Sequence, residues 1–316
     1  MTGRRLAAVA AGLLVAALLL LLPLTLRPYG LYLMSLWAVL TIAAMGLNLT
    51  LGYAGQVSLA QGAFVGIGAY AAALLTTAGW PLGAGLLLGV GLGLLVGWLL
   101  GYPALRVQHH YLAFVTLGAN TLVFLVLRNE DWLTGGVYGI AAIPRPTVLG
   151  YPTDHPLAFY YFCLGVLLLV GLGLGLLLRS PWGRAFEALR ENPVRAESLG
   201  IDTRRYTLLA FAIGSAVGSL AGAIYAPLVQ YIDPSPFALG LSLALLLMVV
   251  VGGAGRFFGP GLGAAIAVLL PEWLRFSEGL YLILYAVLVI LVLVFLPSGL
   301  VGLADRLSAR ARGEGR

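Results

Sequence analysis

The side chains that could carry out acid–base, nucleophilic or metal chemistry are few and widely separated in this 316-residue sequence. The three histidines are His109, His110 and His155, and they lack the spacing of metal ligands. Cys163 is the single cysteine, so it cannot form an internal disulfide. The sequence offers no buried carboxylate pair and no nucleophile–base arrangement. We therefore expect no catalytic residue, no metal site and no cofactor.

The basic residues and glycines exclude two nucleotide chemistries. All 18 basic residues are arginine, so the lysine of a phosphate-binding P-loop is missing and this chain is not expected to hydrolyse ATP itself. The stretch Gly66–Ala71 formally matches the G-x-G-x-x-A dinucleotide fingerprint. It lies inside an apolar run with no preceding strand, so dinucleotide binding is not expected either.

The segments that must position the polar residues of this chain are mostly long apolar runs. The sequence is 61% hydrophobic and 9% charged, and runs of about twenty apolar residues recur, each long enough to cross a bilayer as a helix. We predict an all-α polytopic membrane protein, with residues 1–316 forming a single transmembrane domain. The first run exceeds a signal peptide's apolar region, so a retained helix is favoured over a cleaved signal. The ten predicted spans are 6–26, 31–51, 57–77, 82–101, 111–127, 158–178, 206–229, 237–255, 257–271 and 279–296.

The charges predict how these spans are oriented. Most arginines fall on one side of the predicted spans, which places both termini, the loop 179–205 and the basic tail 298–316 in the cytoplasm of a bacterial or archaeal cell. Topology therefore explains the net charge of +6 better than nucleic-acid binding does. None of the predicted spans contains Asp, Glu, Arg, Lys or His, whereas proton- and ion-coupled carriers usually keep such groups in the membrane. If transport is active, its energy should come from outside the spans.

The loop 179–205 is the longest strongly charged stretch. Its pattern predicts a helix that starts near Trp182 and breaks before Pro193, followed by a short turn that ends at Gly200. Such an element could press the apolar side chains of Phe186 and Leu189 into a groove of a partner. The alternative is a solvated loop whose arginines only set the orientation of the chain.

The glycine-rich stretch LGYAGQVSLAQGAFVGIGAY, Leu51 to Tyr70, combines small and polar residues between apolar runs. On a helix its small residues would form one stripe that allows close packing. Amides in hydrocarbon are costly without partners, so polar residues here suggest a solute path. Two G-x-A-G segments, Gly52–Gly55 and Gly252–Gly255, suggest internal repeats around such a path. The stripe is Ser58, Gly62, Gly66, Ala69 and Ala73, and the hypothetical path residues are Asn48, Gln56, Ser58, Gln61 and Asn120.

Four blocks, in this order along the chain, resemble the M-type permease of branched-chain amino acid ABC importers. They are GLNLTLGYAGQVSLAQGAFVGIGAYAAALL, LTGGVYGIAAIP, GRAFEALRENPVRAESLGI and VVGGAGRFFGPGLGAAIAVLLPEWLR. The resemblance implies a second homologous permease subunit, two cytoplasmic ATPase subunits and an extracytoplasmic substrate-binding protein that delivers leucine, isoleucine or valine. One departure is Gln61-Gly62, where relatives often have a histidine followed by a small residue.

The resemblance also implies roles for two loops. A coupling contact with the ATPases falls on the helix from Gly183 to Leu199, and an outer loop is where a delivery protein would dock. The coupling positions are Phe186, Glu187, Arg190, Glu191, Ala196 and Gly200, and the outer-loop positions are Thr134, Gly135 and Gly136. An ABC permease for another small solute, such as urea, a short amide or a sugar, remains the nearest alternative, and a passive channel is a more distant one.

Overall fold

The computed structural model describes residues 16–104, 109–148, 151–273 and 299–302, together with positions 14, 287 and 290. This part of the chain is nearly all helical, as predicted. A helical segment at 16–21 runs into a 3-10 turn at Leu22–Thr25, and one two-stranded ladder pairs β1 (Thr147–Val148) with β2 (Tyr151–Pro152). The helices are α1 Pro28–Asn48, α2 Gln61–Thr77, α3 Leu82–Ala104, α4 His109–Asn129, α5 Pro156–Arg179, α6 Pro181–Glu191, α7 Pro193–Ser198, α8 Thr203–Val229, α9 Leu239–Gly252 and α10 Gly259–Trp273.

Five described helices are long and apolar enough to cross a membrane, and they coincide with five of the ten predicted spans. They are Pro28–Tyr53, Leu82–Tyr102, Leu112–Asn129, Pro156–Arg179 and Thr203–Val229. The helices α2, α9 and α10 are shorter, with 17, 14 and 15 residues. The start of the first predicted span, the tenth span and most of the tail 298–316 lie outside the described residues. The number of ten crossings therefore stays a prediction.

Helices α1 and α8 form the centre of the described fold. Both are largely buried, whereas α3, α4 and α5 expose most of their surface. Helix α8 packs against α1, α2 and α3, and the residues at these contacts are mostly glycine, alanine and serine. Because lipid gives no hydrophobic drive for two helices to associate, close backbone approach through small residues is the main source of packing energy here.

The charged loop 179–205 folds as two short helices, as its sequence predicts. Ser180 caps α6 by accepting a hydrogen bond from the Trp182 N–H, and Pro181 occupies the first turn, where a missing N–H costs nothing. Helix α6 ends at Glu191 before Pro193, and Asn192 caps α7 by accepting from the Arg195 N–H. Gly200 follows α7 with a φ of +83°, a conformation that favours glycine.

Candidate functional site

The glycine-rich stretch is not a continuous helix. Helix α1 continues through a π-helical turn, Leu49–Tyr53, and the next helix begins only at Gln61. The predicted helix start at residue 57 is therefore wrong, and Ser58 does not lie on the helical stripe. Gly55 has a φ of +70° and breaks the helix, while the Leu59 and Ala60 N–H groups donate to the hydroxyls of Thr116 and Ser58 instead of to helical carbonyls.

The first residue of α2 lies halfway along the two central helices. The Gln61 Nε2 atom donates to the Ala43 carbonyl of α1 at 3.0 Å and to the Gly214 carbonyl of α8 at 3.2 Å. Ala43 is ten residues from Tyr53 and Gly214 is eleven from Thr203, so at 1.5 Å per residue each lies about 15 Å inside its helix. Residues 54–60 therefore run as irregular backbone from the end of the π-helical turn to the middle of the helix bundle.

Side chains from two other helices cap this N-terminus. The Gly62 N–H donates to the Ser242 Oγ of α9 at 2.8 Å, and the Ala63 N–H donates to the Asn120 Oδ1 of α4 at 2.9 Å. The Ser242 hydroxyl also donates to Asn120 Oδ1, at 3.1 Å. Helix N-termini leave N–H groups without intrahelical partners, and here distant residues satisfy two of them. We call the buried residues around this N-terminus the central polar cluster: Ser58, Gln61, Thr116, Asn120 and Ser242.

The other two predicted path residues lie elsewhere. Asn48 is buried near the end of α1, where its Nδ2 donates to the Arg256 carbonyl at 3.0 Å and its Oδ1 accepts from the Gly255 N–H at 2.9 Å. Gln56 is also buried, and its Nε2 donates to the carbonyl of Ala54 in its own segment. The structure therefore brings together Ser58, Gln61 and Asn120 and separates Asn48 from them.

The two G-x-A-G segments contact each other. A Cβ on Gly52 would overlap the backbone nitrogen of Gly255, so the two turns meet at a distance that only glycine allows. Both Gly55 and Gly255 have positive φ values, +70° and +76°. Asn48, four residues before Gly52, makes both of its side-chain hydrogen bonds to the second turn, at Gly255 and Arg256. We call this contact the paired glycine turns; the repeat relationship itself remains a prediction.

The predicted packing stripe and the closest helix contacts only partly overlap. A Cβ on Gly62 would lie 2.8 Å from Ser242 Oγ, one on Gly66 would lie 3.1 Å from Leu127 and Phe237, and Ala69 and Ala73 are buried. The tightest contacts of α2, however, join it to α8. A Cβ on Gly68 would overlap the Ser219 carbonyl, and one on Gly222 would overlap the Val65 carbonyl.

These α8 residues carried a sequence signal that the prediction missed. Gly214, Gly218 and Gly222 recur every four residues within one apolar span, which is the small-x-x-x-small pattern of close helix contacts. Gly214 lies against the Gly46 carbonyl, Gly218 against the Gln61 side chain and Gly222 against the Val65 carbonyl.

Helix α6 buries its apolar face against its own chain. Phe186 is fully buried and packs edge-to-face on Tyr206 of α8, with ring centroids 6.3 Å apart, and Leu189 and Ala196 are buried beside it. The predicted insertion of Phe186 and Leu189 into a partner's groove is therefore wrong, because these side chains attach α6 to the ends of α5 and α8. The exposed surface instead carries Glu187, Arg190, Glu191, Val194, Leu199 and Gly200.

Two features of this exposed surface stand out. Val194 and Leu199 are 76% and 80% exposed, although both are apolar. Arg190 also lies against the paired glycine turns: a Cβ on Gly55 would lie 3.3 Å from its Cα, and one on Gly255 would overlap its Nη1. The α6–α7 segment thus reaches the ends of α1 and α9 through one side chain.

The loop that follows α4 is compact because Thr134 and three glycines hold it. The Thr134 hydroxyl donates to the Leu127 and Glu130 carbonyls at 2.7 and 2.9 Å and accepts from the Gly136 N–H at 3.2 Å. Gly135, Gly136 and Gly139 have φ values of +71°, +57° and +67°. A bridge between Ile140 and Ile232 ties the loop to the segment after α8. Trp132 and Tyr138 are left 82% and 89% exposed.

Replacing Gln61 with leucine is expected to lower the thermal stability of the protein. Both N–H donors of the amide bind helix carbonyls, and hydrogen bonds between membrane helices contribute about 0.6 kcal/mol on average and up to roughly 1.7 kcal/mol. The measurement is the unfolding midpoint of the purified protein in detergent, with Gln56→Leu as the control because Gln56 bonds only within its own segment. An unchanged midpoint for Gln61→Leu would contradict the cross-linking role, and unchanged transport would contradict a role in the path.

Among known proteins, the sequence model of a family described as branched-chain amino acid transport system / permease component matches residues 29–296 of this chain. The chain is 34% identical to the high-affinity branched-chain amino acid transport system permease protein LivM of Escherichia coli (strain K12), over 84% of this chain and 68% of that protein. It is 33% identical to the protein of the same name from Salmonella typhimurium, over 86% and 71%. It is 28% identical to the autoinducer 2 import system permease protein LsrC of Escherichia coli (strain K12 / DH10B), over 74% and 66%. No solved structure matches.

Proposed function

Because the chain belongs to the family of branched-chain amino acid transport system permease components, we propose that it forms half of the membrane path of an ATP-driven importer for leucine, isoleucine and valine. It is an integral membrane transport subunit, not an enzyme, and it works with ATPase and substrate-binding partners. The observation that carries the substrate class is the family match across residues 29–296, together with relatives that are named for branched-chain amino acid transport.

The assembly that we propose has a second, homologous permease subunit, two cytoplasmic ATPase subunits and one extracytoplasmic binding protein. In this arrangement both termini and the loop 179–205 face the cytoplasm, as the excess of arginine predicts. Co-purification of these subunits followed by ATP-dependent uptake of labelled leucine into proteoliposomes tests the proposal. Absence of leucine uptake, with uptake of another solute such as the autoinducer 2 of the LsrC relatives, would contradict it.

The α6–α7 segment is proposed as the ATPase contact. Its apolar face packs on α8. A force that the ATPase applies to its charged outer face would therefore displace the membrane helices directly, with no flexible loop in between. Glu187, Arg190, Glu191, Val194 and Leu199 form that outer face. Exposed apolar residues ringed by charges are typical of a protein interaction site.

The loop with Trp132 and Tyr138 is proposed as a docking site for the binding protein. Aromatic residues carry much of the energy of protein interfaces, and the glycines and Thr134 hold this loop in one conformation.

The double variant Trp132→Ala/Tyr138→Ala is expected to raise the binding-protein concentration that half-maximally stimulates ATP hydrolysis by about tenfold. The matched control is Trp98→Ala, which removes an exposed tryptophan from the membrane helix α3. Equal curves for the double variant and wild type would contradict docking at this loop.

A further inference from the structure

The N-terminus of α2 is unusual because it opens inside the helix bundle and not at its surface. Irregular backbone occurs at membrane depth only where it is buried in protein or lines a cavity, since its polar groups cannot bond to lipid. A helix N-terminus also carries a partial positive charge from the aligned peptide dipoles. This 17-residue helix therefore directs a positive end toward the centre of the bundle, where Ser242 and Asn120 cap the N–H groups of Gly62 and Ala63.

The hydrogen bonds around this N-terminus leave an excess of donors. Asn120 is 1% exposed, and its Oδ1 accepts from both Ala63 N–H and the Ser242 hydroxyl. Its Nδ2 atom has no hydrogen-bond partner in the part of the chain that the structure describes. The orientation of the amide follows from Ala63, because a backbone N–H can only donate and so requires the oxygen on its side. Two N–H bonds of Asn120 thus lack an acceptor.

The missing partner is an acceptor, and the surroundings favour a negative one. No aspartate or glutamate occurs in α1, α2, α4, α8 or α9, so the chain itself supplies no anion to these donors. A carboxylate suits the positive helix end, the Asn120 amide and the Ser242 hydroxyl together, whereas an ammonium group would find few acceptors. The Gly62 N–H donates to Ser242 Oγ in the state described, and a Cβ on Gly62 would lie 2.8 Å from the same oxygen, so glycine alone fits this position.

The central polar cluster also lies close to the surface of the described fold. Val57 is 39% exposed between the buried side chains of Gln56 and Ser58, and Leu243 is exposed next to Ser242. On α4, a Cβ at the exposed Gly118 would meet nothing within 4 Å. Each of the three segments that form the cluster therefore has an exposed residue within two positions of a cluster residue.

We propose that the N-terminus of α2, with Asn120 and Ser242, binds the carboxylate of the amino acid in transit at the middle of the membrane. In the state described, Asn120 Oδ1 and Ser242 Oγ occupy the α2 N–H groups in place of that carboxylate. The substrate would displace these caps and gain the Asn120 amide as a further donor. The inference rests on the proposed function, because only amino acid import supplies a zwitterion as the solute.

The variant Asn120→Asp tests this site directly. Aspartate has the same shape and keeps an oxygen for Ala63 N–H, but it replaces the amide donors with a resident negative charge at the positive helix end. Its unfolding midpoint is expected to equal or exceed that of wild type, because a carboxylate suits this position. Leucine uptake by the reconstituted transporter at about pH 8, where carboxyl groups are normally ionised, should fall about tenfold or more through charge repulsion.

The matched control places the same charge one residue further along. Thr121 is exposed and lies about 100° around α4 from Asn120, so Thr121→Asp puts a carboxylate at nearly the same depth but away from the α2 N-terminus, and it should lower the midpoint. Loss of the folded transporter with Asn120→Asp, or a midpoint reduced as much as by Thr121→Asp, would overturn the proposal, because the site should accept a carboxylate. Uptake within about twofold of wild type would overturn it as well.

The two measurements, unfolding midpoint and leucine uptake, distinguish failure of this inference from failure of the proposed function. If the wild-type complex does not import leucine, the proposed function fails, yet the midpoints of Asn120→Asp and Thr121→Asp still decide whether an anion site exists at the α2 N-terminus. If wild type imports leucine and Asn120→Asp imports it equally well, only the carboxylate site fails.

Discussion

Alanine in place of Gly222 is expected to prevent the chain from folding stably. The added Cβ would overlap the Val65 carbonyl, and the next nearest atoms are also backbone atoms of α2, so no side-chain rotation relieves the overlap. Overpacking usually costs about 1–3 kcal/mol, and an overlap with backbone belongs at or above the upper end of that range. Because α8 also packs on α1 and α3, separating it from α2 would disturb the whole centre of the bundle.

The measurement is the yield of monodisperse protein after detergent extraction, together with its unfolding midpoint. Gly91→Ala in α3 and Gly165→Ala in α5 are matched controls, because a Cβ at either position would meet nothing within 4 Å. Both controls should match wild type or gain slightly in stability, since alanine favours the helix over glycine by about 1 kcal/mol. Normal yield and an unchanged midpoint for Gly222→Ala would contradict the close contact of α8 with α2.

Replacing Arg190 and Glu191 together with alanine is expected to uncouple ATP hydrolysis from uptake. Both residues lie on the exposed face of α6, and Arg190 also packs on the paired glycine turns that end α1 and α9. The double variant would remove charges that face the ATPase and the side chain that reaches these turns. We expect leucine uptake to fall about tenfold or more, which corresponds to a coupling free energy near 1.4 kcal/mol, while the ATPases still bind and hydrolyse ATP.

A second variant separates the two roles of Arg190. Gly255→Ala leaves the sequence of α6 unchanged, but its Cβ would overlap Arg190 Nη1, crowd the Gly52 carbonyl and require an unfavourable φ of +76°. It should displace the Arg190 side chain and reproduce the uptake defect. The matched control Gly200→Ala also has a positive φ, +83°, but its Cβ would meet nothing within 4 Å. Full coupling in the double variant would count strongly against α6–α7 as the transmission element, and full coupling in Gly255→Ala alone would restrict Arg190 to the ATPase contact.

The sequence was most informative where one physical requirement dominates. Apolar runs of membrane length predicted five helices close to their observed bounds, because a span must hide its backbone from lipid along its entire length. Ser180, Pro193 and Gly200 predicted the ends of α6 and α7, because capping and proline chemistry act between neighbouring residues. The four family blocks predicted the transport family that the comparisons identify.

Contacts between distant residues were not predictable in this way. Phe186 and Leu189 form an apolar stripe that could face either a partner or the chain itself, and only the position of α8 decided that they face inward. Ser58 fits a helical stripe by spacing, but the hydroxyls of Thr116 and of Ser58 itself accept from the N–H groups of Leu59 and Ala60 in place of helical carbonyls. The missed contact of Gly222 with Val65 likewise depends on which two helices cross.

The sequence by itself determined that this chain is a helical membrane transport subunit whose energy source lies on other chains, because composition, the lack of lysine and the family blocks are local properties. The tertiary structure alone decided that the glycine-rich stretch runs as irregular backbone to the middle of the bundle and that α2 begins there. It also decided that Asn120 and Ser242, 57 and 180 residues away from the N–H groups they cap, form one polar cluster. Hydrogen bonds of such range depend on how the helices pack, and no spacing along the chain encodes that packing.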